Sequence, residues 1–430
     1  MSPADLHDDT IHRTIKAVWR IESAHLIAGL VRMVRDLGLA EDLAQDALLA
    51  ALERWPQAGV PDNPGAWLMA TAKHRAIDRM RHNKLAQARH LQIAQALEDA
   101  QEDAVAGIEA TLDDDIGDDL LRLVFIACHP VLSTEAQVAL TLRLLGGLGT
   151  DEIARAFLQP EATIAQRIVR AKRSLEKARA PFEVPDREQR AARLTSVLGV
   201  IYLIFNEGYS ATSGDDWMRP QLCEEALRLG RVLAGLAPDE AEVHGLLALM
   251  ELQASRTPAR LGPSGEPVLL PDQDRACWDQ LLIRRGLTAL ARAGRLGGVN
   301  GSYALQAAIA ACHARALTLA DTDWARIVAL YGALAQLSQS PVVELNRAVA
   351  TAMLSGPAAG LALVDRLQSE PTLQGYHLLP SVRGDLLARL GRMDEARIEF
   401  ERAATLTRNE RERTFLHDRA AACSRDATAS

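Results

Sequence analysis

The stretch Thr150–Arg179, TDEIARAFLQPEATIAQRIVRAKRSLEKAR, decides the fold of its half of the chain. It reads as two short helices around a tight break. Thr150 is expected to N-cap the first, with Asp151 and Glu152 in its first turn at the positive end of the dipole. The pattern runs out at Phe157-Leu158, and Pro160, whose ring fixes φ, restarts a helix as its first residue with Glu161 behind it. In that second helix Ile164, Ile168, Ala171 and Leu175 recur at helical spacing and form a narrow apolar stripe. The opposite face carries Thr163, Gln166, Arg167, Arg170 and Arg173. Gln and Arg pair with base edges in a major groove, while Lys172, Arg173, Lys177 and Arg179 have the reach and charge for phosphates. Without its partner helix the same segment is an amphipathic surface helix with solvated cations; the pairing across a short break is what points to a DNA-binding helix-turn-helix.

Outward from this motif, 430 residues are too many for one ordinary domain. With 48% hydrophobic residues, only 4% aromatics and an abundance of Ala, Leu and Arg, the composition is that of an all-α protein. The net charge of −8 does not by itself suggest nucleic acid, so its distribution matters more than its sum. Five cysteines without a CxxC pair read as small buried apolar residues of a reducing cytoplasm, not as a disulfide frame or metal site. The polar N-terminus and the lack of a long apolar run imply neither secretion nor a membrane.

Before the motif, the pattern is helical from about Thr10 to Leu91, interrupted from Trp55 to Ala66 by three prolines and two glycines. The helix ending at Trp55 is expected to pack Leu39, Leu43, Ala47 and Ala50 inward and to show Glu41, Asp42, Gln45 and Asp46 as an outer acidic strip. The helix after the loop has apolar Trp67, Leu68, Ala72, Ala76 and Met80 and cationic Lys73, Arg75, Arg79 and Arg81 on other faces. Residues 92–121 contain no Lys or Arg and many acids, Asp119 among them, the composition of a solvated linker. A helix pair broken at His129-Pro130 follows, with Thr134 and Gln137 placed for a capping box.

In the order in which they stand, AEDLAQDALLAALERW, NPGAWLMATAKHRAIDRMR and the helix-turn-helix resemble the second and fourth conserved regions of the sigma-70 superfamily, specifically its extracytoplasmic-function members. The resemblance implies an all-α fold with a region 2 module over 10–91, an acidic linker over 92–118, a region 4 module over 119–180 and an extension over 186–425. It implies that Asp42, Gln45 and Asp46 dock on the clamp helices of core RNA polymerase, a partner that includes the β and β′ subunits. Asp62, Asn63, Trp67, Lys73, Arg75 and Arg79, in and after the loop Gly59 to Gly65, would read and open the minus-10 element. Thr163, Gln166, Arg167, Arg170, Lys172, Arg173 and Lys177 would meet minus-35. Ala162 and Ala165 stand where many members carry Gly and Lys, so promoter sequence does not carry over.

From about Arg193 the chain changes character. Paired helices recur beyond Tyr303, with Gly356 and Gly391 spaced 35 residues apart, and Ala396-x3-Phe400 matches a tetratricopeptide pattern. Stacked pairs bury a shared core and present a surface for a protein or ligand. The extension resembles the tetratricopeptide-like tail of one sigma-factor subgroup, most particularly in IYLIFNEGYSATSGDDWMR, Ile201–Arg219. Its Asn206, Glu207, Tyr209, Ser210, Ser213, Asp215 and Asp216 are expected to cap and buttress a loop; Glu207, Asp215 and Asp216 as a magnesium site is the competing reading. No phosphate loop, metal signature or nucleophile motif appears, so neither enzymatic activity nor a cofactor is expected. The competing function is a helical-repeat repressor or activator outside the polymerase, which would need neither the acidic helix nor the loop after it.

Overall fold

A computed structural model describes residues 3–90, 116–212, 214–263 and 265–429. Among the described residues the regular structure is helical, and the only extended pairings are two isolated bridges between loops. The chain divides into two compact units, residues 1–201 and 202–430.

The first unit is built on α1 (Pro3–Val34), which packs against α2 (Leu37–Ala58), α3 (Pro64–His90) and α4 (Ile116–Ala127). Leu26, Ile27, Leu30 and Val31 of α1 are buried, as are Ala40, Ala44, Ala47 and Ala51 of α2, and the two helices pack on each other. Asp36 caps α2 by accepting from the Leu39 N–H at 2.9 Å. α2 does not stop at Trp55: Pro56 lies inside its last turn and the helix continues to Ala58, capped by Gly59 at φ 83°. A proline this close to the end forfeits a single backbone bond, so the loop narrows to residues 59–63.

The helix-turn-helix follows as α5 (Thr134–Leu144), α6 (Thr150–Ala156) and α7 (Glu161–Lys177). Ile164, Ile168, Ala171 and Leu175 are all buried, as their spacing predicts. The caps fall one residue earlier than expected. Gly149, not Thr150, precedes α6, its N–H donating to Glu152 Oε2 at 2.9 Å. Pro160 occupies the cap of α7 rather than its first helical position. Ser133 caps α5 in place of Thr134, and Gln137 donates to the carbonyls of Cys128 and His129 instead of closing a capping box. Gly147, at φ 63°, brings the α5–α6 loop onto α1, where a Cβ would meet Ser23 Oγ at 2.7 Å. The expected linker lies mostly outside the described residues. Asp119, read with that linker, is instead a buried residue of α4, paired with Arg32 at 3.2 Å and Arg122 at 2.6 Å.

α8 (Arg187–Tyr209) reaches from one unit into the next. Its early turns lie in the first unit, Arg193 donating to Phe125 O of α4 at 2.8 Å and Val197 and Leu198 being buried.

The second unit continues with α9 (Pro220–Leu236), α10 (Ala241–Ala254), α11 (Gln280–Arg295), α12 (Ser302–Arg315) and α13 (Trp324–Ser338). Two helical hairpins follow, α14 (Pro341–Ser355) with α15 (Pro357–Leu367) and α16 (Leu378–Arg389) with α17 (Met393–Leu406), before α18 (Glu410–Ala429). Gly356 and Gly391, at φ 92° and 77°, make the two hairpin turns in backbone that side chains avoid. Ala396 and Phe400 lie in the core of the second hairpin.

In the stretch Ile201–Arg219, Glu207 pairs with Arg219 and accepts from Thr212 Oγ1 at 2.9 Å, while Asn409 donates to the carbonyls of Ala211 and Asp216. Of the polar residues expected to buttress the loop, Glu207 thus does so through its side chain, and Ser213 is outside the described residues. Asp215 and Asp216 are exposed, and no set of three or more potential metal ligands occurs among the described residues. Four cysteines are buried, but Cys277 is exposed, against the expectation for all five.

Candidate nucleic-acid and polymerase interface

The outer face of α7 is open. Thr163, Gln166, Arg170, Arg173 and Lys177 are exposed and Arg167 is half-buried. Thr163, Gln166, Arg167 and Arg170 line one groove with Val131, Leu132, Ser133 and Glu135 of the α4–α5 corner. Glu135 titrates below its usual range, chiefly through its own backbone N–H and the Ser133 hydroxyl, with a further pull from Arg167. The apolar stripe sets this rotation of α7: with Ile164 and Ile168 inside, residues 163, 166, 170 and 173 must point out.

Lys172 is different. Its ammonium ion-pairs with Glu41, which also accepts from Arg143 Nε at 2.6 Å and from Gln45 Nε2 at 2.8 Å. Glu41 was expected on the outer strip of α2; it is 3% exposed. Burial pushes its pKa up, but Lys172 and Arg143 outweigh that and hold the carboxyl below its ordinary value. A second tie, Lys16 to Glu152 at 2.7 Å, joins α1 to α6. The helix-turn-helix is therefore clasped against α2.

Of the remaining acidic strip, Asp42 is exposed, Gln45 turns toward Glu41, and Asp46 stands 3.8 Å from Arg75 of α3. That surface pair is worth little. Asp62 and Asn63 sit in the loop, where Asn63 Oδ1 accepts from the Ala66 N–H at 3.1 Å and so caps α3. Trp67 is half-buried, edge-on to Trp55 with centroids 5.4 Å apart. Lys73 is half-buried and Arg79 exposed along α3. Trp67, Lys73, Arg75 and Arg79 stand along α3 after the loop that carries Asp62 and Asn63, and its ion pair sets Lys172 apart from the other α7 cations.

Family models agree with this layout: one for sigma-70 region 2 matches residues 22–85, one for sigma-70 region 4 matches 122–175, and a family of unknown function matches 193–294. An uncharacterized protein of Rhizobium meliloti (strain 1021) is 44% identical over 391 residues, 91% of each chain. The ECF RNA polymerase sigma factor SigK of Mycobacterium bovis (strain BCG / Pasteur 1173P2) is 30% identical over 154 residues, 35% of this chain and 77% of that protein. The chain belongs to the extracytoplasmic-function sigma factors. The probable ECF RNA polymerase sigma factor SigI of Mycobacterium tuberculosis (strain CDC 1551 / Oshkosh) is 28% identical over 186 residues, 42% of this chain and 60% of that protein.

A sigma factor initiates transcription without chemistry of its own, by binding core RNA polymerase and promoter DNA. No described helix of this sigma factor is long and apolar enough to cross a membrane. What its sequence concealed is the Glu41 clasp. The available signal was position: Leu37, Ala40, Glu41, Ala44, Ala47, Ala51 and Trp55 form one helical stripe, so a lone acid stands on the buried face. A carboxylate there requires cations from elsewhere in the chain.

Proposed function

We propose that this sigma factor directs initiation through the residues above: Asp42, Gln45 and Asp46 toward the polymerase clamp, Asp62, Asn63, Trp67, Lys73, Arg75 and Arg79 toward minus-10, and the face of α7 toward minus-35. The observation that carries the reading is the exposed row Thr163, Gln166, Arg170 and Arg173, held outward by a fully buried stripe. The clasp makes the described arrangement a resting one. Minus-10 and minus-35 elements lie about 25 base pairs apart, roughly 85 Å of duplex at 3.4 Å per step. A helix-turn-helix whose Lys172 touches α2 does not span that length, so polymerase and promoter must part Glu41 from Arg143 and Lys172.

The extension, in this reading, regulates the sigma modules from within the chain, through tetratricopeptide-like hairpins whose surface takes a protein or ligand. Support comes from α8, whose first turns reach α4 and α5 through Arg193 on Phe125 and Ser196 on Gln137. Run-off transcription with purified core polymerase, on a promoter from upstream of the protein's own gene, tests the first part. Initiation by the full chain is expected. Changing Asp42, Gln45 and Asp46 together to Lys should abolish it by setting like charges against the clamp. Transcription that needs no added chain, or that survives the triple change, sinks the assignment. For the second part, chains ending at Pro185 and at Ile201 are compared with the full chain at equal folded amount; identical output and response from all three would make the extension a passenger.

A further inference from the structure

In the second unit three arginines crowd around aromatic rings with no carboxylate at ion-pair distance among the described residues. Arg260 is nine-tenths buried; its Cζ stands 3.6 Å from the centroid of Tyr209, whose carbonyl it also reaches. Arg275 lies 5.0 Å from the Trp278 ring and spends its donors on His313 O at 2.8 Å, Ala316 O at 2.9 Å and Thr322 Oγ1 at 3.1 Å. Arg256 has the least. Its guanidinium stands 5.9 Å from the Tyr209 ring and 6.0 Å from Trp278, makes no hydrogen bond to a described residue, and has a buried Nε without a partner. His313, also nine-tenths buried, has an unpartnered Nδ1. Burial first, then Arg256 and Arg275, depress its pKa to about 3, so the imidazole is neutral in a positive surrounding.

Scarcity of acids does not explain this. The chain carries a net charge of −8, and other buried acids of the same unit each hold an arginine: Glu251 has Arg231 at 3.0 Å and Arg285 at 3.2 Å, Glu399 has Arg383 at 2.8 Å, and Glu225 has Arg228 at 2.7 Å. Around Arg256 the pattern fails. Asp321, which acts on Arg275 from beyond ion-pair distance, has one carboxylate oxygen engaged by the Thr318 N–H and hydroxyl. A partly buried guanidinium keeps five directional donors that fit a carboxylate or phosphate in a two-pronged contact. Tryptophan and tyrosine faces beside it add a flat apolar wall.

We propose that this cluster is a binding site for a small-molecule oxyanion, with the Arg256 guanidinium as anchor and His313 Nδ1 as a second, neutral partner. The shared chemistry is a carboxylate or phosphate group on a small molecule; the ring faces of Tyr209 and Trp278 suit a planar body attached to it. The inference deepens the reading of the extension as a sensor, yet binding is measured on the protein alone, so its failure leaves the sigma-factor assignment standing.

The test is thermal unfolding of the full-length protein in sodium phosphate and in sodium benzoate, each against sodium chloride at equal ionic strength. A ligand of the native state raises Tm with the logarithm of its concentration. A rise with phosphate alone identifies a phosphoryl site, a rise with benzoate alone an aromatic carboxylate site, and either supports the proposal. Arg256→Gln should weaken the response at least tenfold, whereas Arg347→Gln, which breaks an ion pair with Glu344 elsewhere in the unit, should keep it. No rise beyond chloride with either anion, or an equal rise in Arg256→Gln, overturns the site. Should Arg256→Gln not fold, phenylglyoxal labelling of the wild type with peptide mapping decides: the active anion protects Arg256, and equal labelling with and without it refutes the proposal.

Discussion

Two clusters, one in each unit, bury charge in opposite ways. In the first, one carboxylate, Glu41, has Arg143 and the amide of Gln45 on one oxygen and the Lys172 ammonium ion-paired to the other. In the second, Arg256, Arg260 and Arg275 gather around Tyr209 and Trp278 with no carboxylate in ion-pair contact among the described residues. Burying an ion costs the same kind of desolvation in both places. Where the chain supplies the counter-ions, the cluster is a clasp between segments far apart in sequence; where it withholds them, the unused donors are available to something outside the chain. The difference between a structural and a receptive buried charge is thus read from its partners, not from its burial.

Deleting one charge from each cluster is the largest way to break that comparison. Glu41→Gln leaves two cations facing each other around a neutral amide, and removing one partner of a buried pair typically costs about 3–5 kcal/mol. Arg256→Gln removes a charge that has only ring faces to lose, each contact being worth about 0.5–1 kcal/mol at exposed sites, against the relief of its desolvation. The second unit should therefore change by about 1 kcal/mol or less in either direction. Urea unfolding followed by hydrogen exchange on peptides of each unit separates the two. Similar losses in both variants would mean that Arg256 has an internal partner after all.

Acid sharpens the contrast. Glu41 has a pKa held below its value in the unfolded chain, so its contribution is fully present above the ordinary glutamate range and is lost as pH falls through the depressed folded value. Peptides of α2, α5 and α7 should lose exchange protection between about pH 4.5 and lower values, and Glu41→Gln should flatten this dependence. Among the described residues the arginine cluster has no carboxylate in ion-pair contact to titrate there. An unchanged acid profile in Glu41→Gln would assign the transition to other pairs, such as Asp119 with Arg32 or Glu152 with Lys16.

The sequence shows these clusters unequally, for a physical reason. The rotation of α7 was legible because Ile164, Ile168, Ala171 and Leu175 repeat within a single helix, and a buried stripe leaves the opposite face only one direction to point. Region 2, region 4 and the helical extension were legible for the same local reason. Glu41 was misplaced because its neighbours Asp42, Gln45 and Asp46 are polar, and its actual partners come 102 residues later at Arg143 and further on at Lys172. Helix ends were missed by a residue or a turn at Thr150, Pro160, Thr134 and Trp55, where the cap depends on a particular hydrogen bond and not on periodicity. The arginine cluster left no local signal: Arg256, Arg260 and Arg275 share neither a helical period nor a motif that would bring them together.

Residues of the α7 face that the clasp leaves alone should act on DNA. Arg167→Ala or Gln166→Ala is expected to relax preference at one or two minus-35 positions by about 1–3 kcal/mol per lost two-pronged base contact. Selection from a randomised minus-35 library, read as base preference per position, checks this. If neither variant altered preference while Arg173→Ala did, the reading face of α7 would lie further round the helix.

The smallest expected effect separates the clasped cation of α7 from an unclasped one. Lys177 is exposed in the last turn, where a cation complements the helix dipole, so Lys177→Ala should leave stability within about 0.5 kcal/mol. It should weaken all promoters alike and reduce the slope of log affinity against log salt by about 0.9, the loss of one phosphate contact. Lys172 starts from Glu41, with its side chain 21% exposed, and Lys172→Ala should destabilise the first unit less than Glu41→Gln because Arg143 still holds the carboxylate. Its salt slope on promoter DNA, measured with core polymerase present, then reports the clasp itself. If the clasp parts when the promoter is bound, Lys172 is released to a phosphate and its removal lowers the slope by about 0.9 as well. A slope equal to that of the wild type would mean that Lys172 stays on Glu41 throughout, and that the helix-turn-helix reaches minus-35 without leaving α2, which the proposed opening does not allow.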